Sequence, residues 1–343
     1  MKLAKLLFAA VLMLASSSAW AVDVNRVVSP GGIEAWLVED HANPLLAMTF
    51  AFAGGAELDP AGKEGLANLA ASTMDEGAAD LDSEAFQRRL TDNAITLRFK
   101  AGLDDFSGNL KTLTVNEDMA FDLLRQAMTQ PRFDAEPVAR LKSQIASNIR
   151  RDSENPNAVA FNALFKGFFP DHGYGKRSDG TEQSVAAITT DDLRGFVAGR
   201  LARGNLTVGV VGDITPERLG ALLDRTFGAL PAHANGTQAA NVKPHATGRV
   251  AVIEKDIVQS SIVFGHHGPQ RDDPDYYAVL LANHILGGGS FTSRLYSEVR
   301  EKRGLAYSVS AGLYQLERTG LIVGRAGIAT ARVGETIALI TDE

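Results

Sequence analysis

The sequence predicts an α+β fold built as two related units, and three observations carry that prediction. Strand-like alternation and helical spacing succeed one another along the whole chain. At 343 residues the chain has length for about two domains. A faint repeat links the halves: Phe50 recurs as Phe264 and Asp59-Pro60 as Asp273-Pro274, each 214 residues on and each between a strand-like and a helical run.

In chain order, Lys2 and Lys5 precede an apolar run from Leu6 to Ala15, and Ala19-Trp20-Ala21 closes it with an Ala-x-Ala pattern. This is a Sec-type signal peptide with cleavage expected after Ala21, which predicts a periplasmic or secreted protein with no membrane span in the mature chain. Ile33–Val38 and Leu45–Phe52 read as strands, and His41-Ala42-Asn43-Pro44 between them predicts a hairpin. Helical spacing marks Gly65–Met74 and Ser83–Asp92, the latter with Ser83 as N-cap, before strands at Ile95–Ala101 and Ser107–Thr114. Asn116–Thr129, Glu136–Ser153 and Ala158–Phe168 predict three helices, with Pro131, Pro156 and Pro170 as breakers. Thr190–Leu201 adds a helix, Asn205–Val211 a strand, and Thr215-Pro216-Glu217 starts a helix to Phe227. The segment 231–248 lacks periodicity and reads as a linker. Gly320–Gly327 is strand-like, and the chain ends inside a new helix.

Composition removes several functions. With 45% hydrophobic and 22% charged residues, the chain is neither disordered nor fibrous. Its 34 basic and 41 acidic residues give a net charge of −7, and no basic run exceeds two residues, which argues against nucleic acid. The absence of Cys excludes disulfides, thiolate metal sites and a thiol nucleophile. His266-His267 are adjacent, so on a strand they point apart and chelate poorly. His284, on an apolar helical stretch, reads as a core histidine, and Asp171-His172 as a loop with a structural role.

The most distinctive segment is Ile285-Leu286-Gly287-Gly288-Gly289-Ser290-Phe291-Thr292-Ser293-Arg294-Leu295, followed by Val299-Arg300-Glu301-Lys302-Arg303-Gly304-Leu305-Ala306-Tyr307. No Lys-Ser/Thr follows the glycines, so they are expected to form a tight turn rather than a phosphate loop. The segment resembles the insulinase/pitrilysin zinc peptidases, among them bacterial members and mitochondrial processing peptidase subunits. Gly62–Gly77, Pro170–Gly175 and Asn205–Asp213 extend the resemblance over nearly the whole mature chain. It implies two homologous α/β domains of the LuxS/MPP-like metallohydrolase type forming a half-shell, two half-shells enclosing a peptide chamber. Residues 22–230 would form the N-terminal domain and 249–343 a C-terminal domain that is expected to be incomplete.

Active relatives carry His-x-x-Glu-His on the first helix, two ligands on one face and a Glu that activates zinc-bound water. Here the frame Gly65-Leu66-Ala67 leads into Asn68, Leu69, Ala70, Ala71 and Ser72, and the place of the third ligand falls on Asn148. Asn and Ser are poor neutral ligands and Ala moves no proton, so the resemblance implies a chain without zinc chemistry of its own. Glu64, Asp75 and Glu76 read as caps or a solvated face rather than substitute acids. Arg300 and Tyr307 keep the spacing of the pair that, in such peptidases, binds substrate backbone and assists at the scissile carbonyl. The expectation is a zinc-free, pseudoenzyme-like subunit of a heterodimeric exported metallopeptidase. It would bind peptide substrate with Arg300 and Tyr307, while a paralogous His-x-x-Glu-His partner supplies the zinc. A non-catalytic peptide-binding or assembly module, and a self-sufficient peptidase with an unrecognised metal site, are the other two readings.

Overall fold

A computed structural model describes residues 23–235 and 239–343; the leader and its cleavage point lie outside them. The first half runs β1 (Asn25–Val28), β2 (Glu34–Glu39), β3 (Leu45–Ala53), α1 (Leu66–Thr73), α2 (Ser83–Asp92), β4 (Thr96–Ala101) and β5 (Asp105–Leu113). It continues with α3 (Glu117–Thr129), α4 (Ala135–Glu154), α5 (Pro156–Phe168), α6 (Glu182–Ala187), α7 (Thr190–Arg200), β6 (Leu206–Gly212) and α8 (Pro216–Phe227). The second half holds β7 (Gln259–Gly268), α9 (Tyr276–Asn283), β8 (Ala306–Leu316), β9 (Thr319–Ala329) and α10 (Val333–Asp342). The α+β class predicted from sequence is the fold observed. No helix among the described residues is long and apolar enough to cross a membrane.

The first sheet has the order β1-β2-β6-β3-β5-β4. Both predicted strands β2 and β3 exist, but the expected hairpin does not: β6 lies between them, parallel to β2 (Trp36↔Gly209) and antiparallel to β3 (Phe50↔Val208). The reason is edge pairing: β6 satisfies the facing backbone edges of both β2 and β3 and places Val208 and Val210, each 1% exposed, on the core face. The chain locks this arrangement where it leaves β2 and enters β3, through Asp40 N–H to Gly212 O and Asp213 N–H to Leu45 O, both 2.9 Å. Alternate residues of β3, Leu46, Met48, Phe50 and Phe52, face the buried core under the helices, while Leu45, Ala47 and Thr49 face outward.

One smaller expectation changes. Asp82, not Ser83, caps α2 by accepting from Ala85 N–H at 2.9 Å, while the Ser83 hydroxyl donates to Glu76 at 2.5 Å. Pro156 separates α4 from α5 as expected, and it does so as the first residue of α5, where its missing N–H costs nothing.

The repeat seen in sequence is built into both sheets. Phe50 of β3 sits across from Gly108 of β5, and a Cβ on that glycine would lie 2.3 Å from the Phe50 ring. In the second sheet, of order β7-β9-β8, Phe264 sits across from Gly324, where a Cβ would lie 2.0 Å from its ring. The Asp-Pro match does not hold in register, because Phe264 to the start of α9 at Tyr276 is four residues shorter than Phe50 to the start of α1 at Leu66.

The halves meet along α5, whose Phe161, Leu164, Phe165 and Phe168 follow helical spacing and form one apolar stripe. Phe165 and Phe168 bury themselves with Phe169, Tyr174, Leu316, Leu321 and Val323, and Arg325 lays its guanidinium 4.7 Å above the Phe161 ring. A polar seam adjoins this cluster. The Tyr174 hydroxyl donates to Asp104 and accepts from Arg318 N–H at 3.1 Å, and Glu317 N–H donates to Asp104 at 3.0 Å. Beside it Glu57 is buried with neither carboxylate oxygen hydrogen-bonded among the described residues, and Arg318 Nε stands 4.0 Å away. Burial pushes the Glu57 carboxyl up to about 7, with Asp104 adding repulsion and Arg318 opposing it.

Two outcomes follow from these contacts. Gly108→Ala forces the added methyl into the Phe50 ring and the Arg98 carbonyl and should destabilise the chain by about 1–3 kcal/mol in denaturant unfolding. Glu57 holds its proton more tightly folded than unfolded, so its contribution is whole below about pH 4.5 and is lost as pH rises through about 7. Glu57→Gln should therefore raise the thermal midpoint at pH 8 relative to the parent and bring no gain at pH 4.5.

Candidate functional site

The α1 helix that carries the metal-motif positions is held rigidly at its start. Gly65, at φ 94°, turns the chain into the helix where a side chain would strain the backbone and strike the Asp179 carbonyl at 2.7 Å. Asp59, fully buried, accepts from Gly65 N–H at 3.0 Å and Ala67 N–H at 3.3 Å, with Arg200 3.6 Å from its other side. Burial pushes the Asp59 carboxyl up to about 6, against the pull of Arg200 and the helix N–H groups. Arg200 is fixed in turn by the carbonyls of Gly55, at 2.8 Å, and Leu58.

On this supported helix the motif positions hold no metal chemistry. Asn68 and Ser72 are half-buried, and the Ser72 hydroxyl donates back to the Asn68 carbonyl at 2.8 Å. Ala71 is 4% exposed and packs in the core. Asn148 lies on α4, which packs against α1, and its side-chain oxygen accepts from Arg151 at 3.0 Å. Among the described residues no group of three or more His, Asp or Glu could hold a metal ion.

The neighbouring acids are occupied in other ways. Glu64 accepts from Gly62 N–H at 3.2 Å and pairs with Lys176 at 3.5 Å. Glu76 is not a solvated acid but a bridge between Ser83 and Arg140, the latter at 2.7 Å. Asp75, pushed up to about 6 by burial, accepts from Gln87 through its backbone carbonyl.

In the second half Arg300 lies in the last turn of the helical stretch Tyr296–Glu301 and is exposed. Its guanidinium lies 4.8 Å above the Tyr296 ring and donates to the Tyr296 hydroxyl at 2.6 Å, a partner that sequence reading did not single out. Their separation of four along a helical run was the signal available. Tyr307 is the second residue of β8 and lies at a bulge, where the register with β9 slips between Ala306 and Ser308, and it is 66% exposed. Tyr307 is thus no core tyrosine, and both side chains reach solvent from adjoining elements.

Three other readings change or sharpen. The glycines do not form a tight turn: His284–Gly288 stays helical with wide turns, and Gly287 is required because a Cβ there would meet Ala311 N at 2.6 Å. His284 is exposed, not a core histidine, because the side of α9 bearing Tyr277 and Leu281, 70% and 62% exposed, is uncovered. His172 caps the turn at Gly173–Gly175, accepting from Tyr174 N–H at 3.2 Å, and packs against the Tyr174 ring.

Known proteins share this architecture. The model of the peptidase M16 inactive domain matches residues 187–343. The non-peptidase homolog YmxG of Helicobacter pylori is 27% identical over 272 residues, 79% of this chain and 62% of its own length. An uncharacterized zinc protease of Mycobacterium leprae is 25% identical over 293 residues, 79% of this chain and 65% of its own. The chain thus spans less than two thirds of the length of these curated relatives. The crystal structure of a peptidase M16 inactive domain from Pseudomonas fluorescens superposes with a TM-score of 0.86 at 30% identity, covering 93% of this chain and 78% of that one. With that identity, that coverage and Asn68, Ala71 and Ser72 in place of the metal motif, the chain belongs to the peptidase M16 family as an inactive-domain member.

Proposed function

We propose that this chain is the zinc-free, exported subunit of a two-chain M16 peptidase, presenting Arg300 and Tyr307 to an extended peptide while a His-x-x-Glu-His partner supplies zinc. The observation that supports it best is the contrast between the two ends of the machinery. The helix of the metal motif keeps its rigid supports, Asp59, Gly65 and Arg200, while Ala71 occupies the place of the catalytic acid. Arg300 and Tyr307, by contrast, stand exposed on adjoining elements and ready to meet a ligand.

The division of labour is chemical. A guanidinium offers a fixed fork of N–H donors to a peptide carbonyl, and a phenol hydroxyl donates to the oxyanion formed when a metal-activated water attacks. Neither group needs a metal in its own chain, and both work only if the partner's zinc faces them. The pattern of Lys2, Lys5, the apolar run Leu6–Ala15 and Ala19-Trp20-Ala21 supports a Sec-type leader and so a place for the assembly outside the cytoplasm.

A second reading, a peptide-binding or assembly module, draws on the Helicobacter pylori relative named a non-peptidase homolog. One experiment separates the two. Peptide hydrolysis and metal content are measured for this chain alone, for a His-x-x-Glu-His paralogue from the same source, and for the mixture. Activity with about one zinc per pair only in the mixture, falling roughly 10²–10³-fold in kcat with Tyr307→Phe or Arg300→Ala, is the expected result. A mixture indifferent to both substitutions points to assembly, and zinc with activity in this chain alone overturns the proposal.

A further inference from the structure

The backbone between Arg300 and Tyr307 is closed by a turn. The Arg300 carbonyl accepts from Gly304 N–H and the Val299 carbonyl from Leu305 N–H, both at 2.9 Å, and Gly304, at φ 60°, takes the left-handed conformation that leads into β8. These bonds set where the Arg300 backbone lies but not where its guanidinium goes. The side chain is exposed, and an arginine free in solvent spreads over many rotamers that must be given up before it can meet a ligand in one geometry.

Tyr296 supplies the missing restraint. The stretch Tyr296–Glu301 winds in wide turns, with Lys302 N–H donating to the Ser297 carbonyl at 3.0 Å, so residues four apart lie on one side of it. There the Arg300 guanidinium lies 4.8 Å above the Tyr296 ring and donates through Nη1 to its hydroxyl at 2.6 Å. The ring is itself seated: it is half-buried against the core formed by Leu295, Val299 and Leu305, and the Phe291 ring meets it edge-on at 5.0 Å. The nearby acid does not compete. Glu298 is taken by Lys302 at 2.5 Å and Arg303 at 2.6 Å, and among the described residues Arg300 has no carboxylate partner.

We infer that Tyr296 is a positioning residue for Arg300, its ring carrying the guanidinium and its hydroxyl fixing the rotation, so that the remaining N–H donors are preorganised for a peptide carbonyl. The inference rests on the reading of Arg300 as a substrate-binding residue. A phenol suits the task better than a carboxylate would. A carboxylate would hold the guanidinium by two of its donors and cancel its charge, whereas Tyr296 occupies one donor and leaves the charge and the other donors for the substrate.

The test combines hydrolysis of a fluorogenic peptide by the mixture of this chain with its His-x-x-Glu-His paralogue and the NMR order parameter of the Arg300 Nε–H in this chain alone. Tyr296→Phe, which keeps the ring and loses the hydrogen bond, should lower kcat roughly 2–10-fold, and Tyr296→Leu, which loses both, roughly 5–50-fold. Added to Arg300→Ala, Tyr296→Leu should bring no further loss, because nothing is left to position. The order parameter should fall in Tyr296→Leu and lie between that value and the parent's in Tyr296→Phe. Tyr296→Phe preserves the packing of the ring, so it decides the matter should Tyr296→Leu fail to fold. If Arg300→Ala impairs the mixture while the Tyr296 variants keep the parental kcat, or if the losses add in the double variant, the positioning role is overturned and the peptidase reading stands. An order parameter at the parent's value in the folded Tyr296 variants overturns it as well, and a mixture indifferent to Arg300→Ala overturns both.

Discussion

The first sheet depends on one strand that arrives late. β2 and β3 are close in sequence, yet their facing edges are satisfied by β6, whose residues come about 150 positions further along the chain. This placement makes β3 a central strand, buries Phe50 and Phe52 completely, and sets the plane on which α1, α3 and α8 pack. It also imposes a folding order, since the edges of β2 and β3 stay open until that long loop is closed.

The seam between the halves solves a different problem. An apolar stripe on α5 supplies the burial, and a small set of charged groups fixes the direction in which the second sheet lies. Asp104, tied to Tyr174 and to the backbone at Glu317, is a bracket between the halves, and each of its bonds is made to an element far away in sequence. Buried charge is costly without a partner, which is why Glu57 holds its proton so firmly and why Arg200 is surrounded by carbonyls. The same region supports α1 through Asp59 and Gly65, so that helix is held rigidly at its start.

What the sequence offers at the candidate site is residue type. Asn68, Ala71, Ser72 and Asn148 stand where the resemblance expects zinc ligands and a catalytic acid, and type decides whether a side chain can bind zinc or move a proton. The Arg300 and Tyr307 pair was readable as spacing, but not its setting. That Arg300 rests on Tyr296, and that Tyr307 stands at a bulge with its side chain in solvent, follow from how β8 pairs with β9. Gly287 looked like a turn residue because a single sequence does not reveal the strand that presses against it at Ala311.

What the sequence determined by itself was local and periodic: most of the helices and strands, the cap at Thr215, the apolar stripe of α5, and the recurrence of Phe50 as Phe264. Those features depend on side chains within a few residues of one another, or on identity alone. The tertiary structure decided which strands are neighbours, that Phe50 and Phe264 each need a glycine across the sheet, and that His284 faces solvent. These are long-range outcomes: a strand's partner is chosen by competition among all available edges and buried faces, and the local sequence of β2 or β3 carries no record of which edge wins.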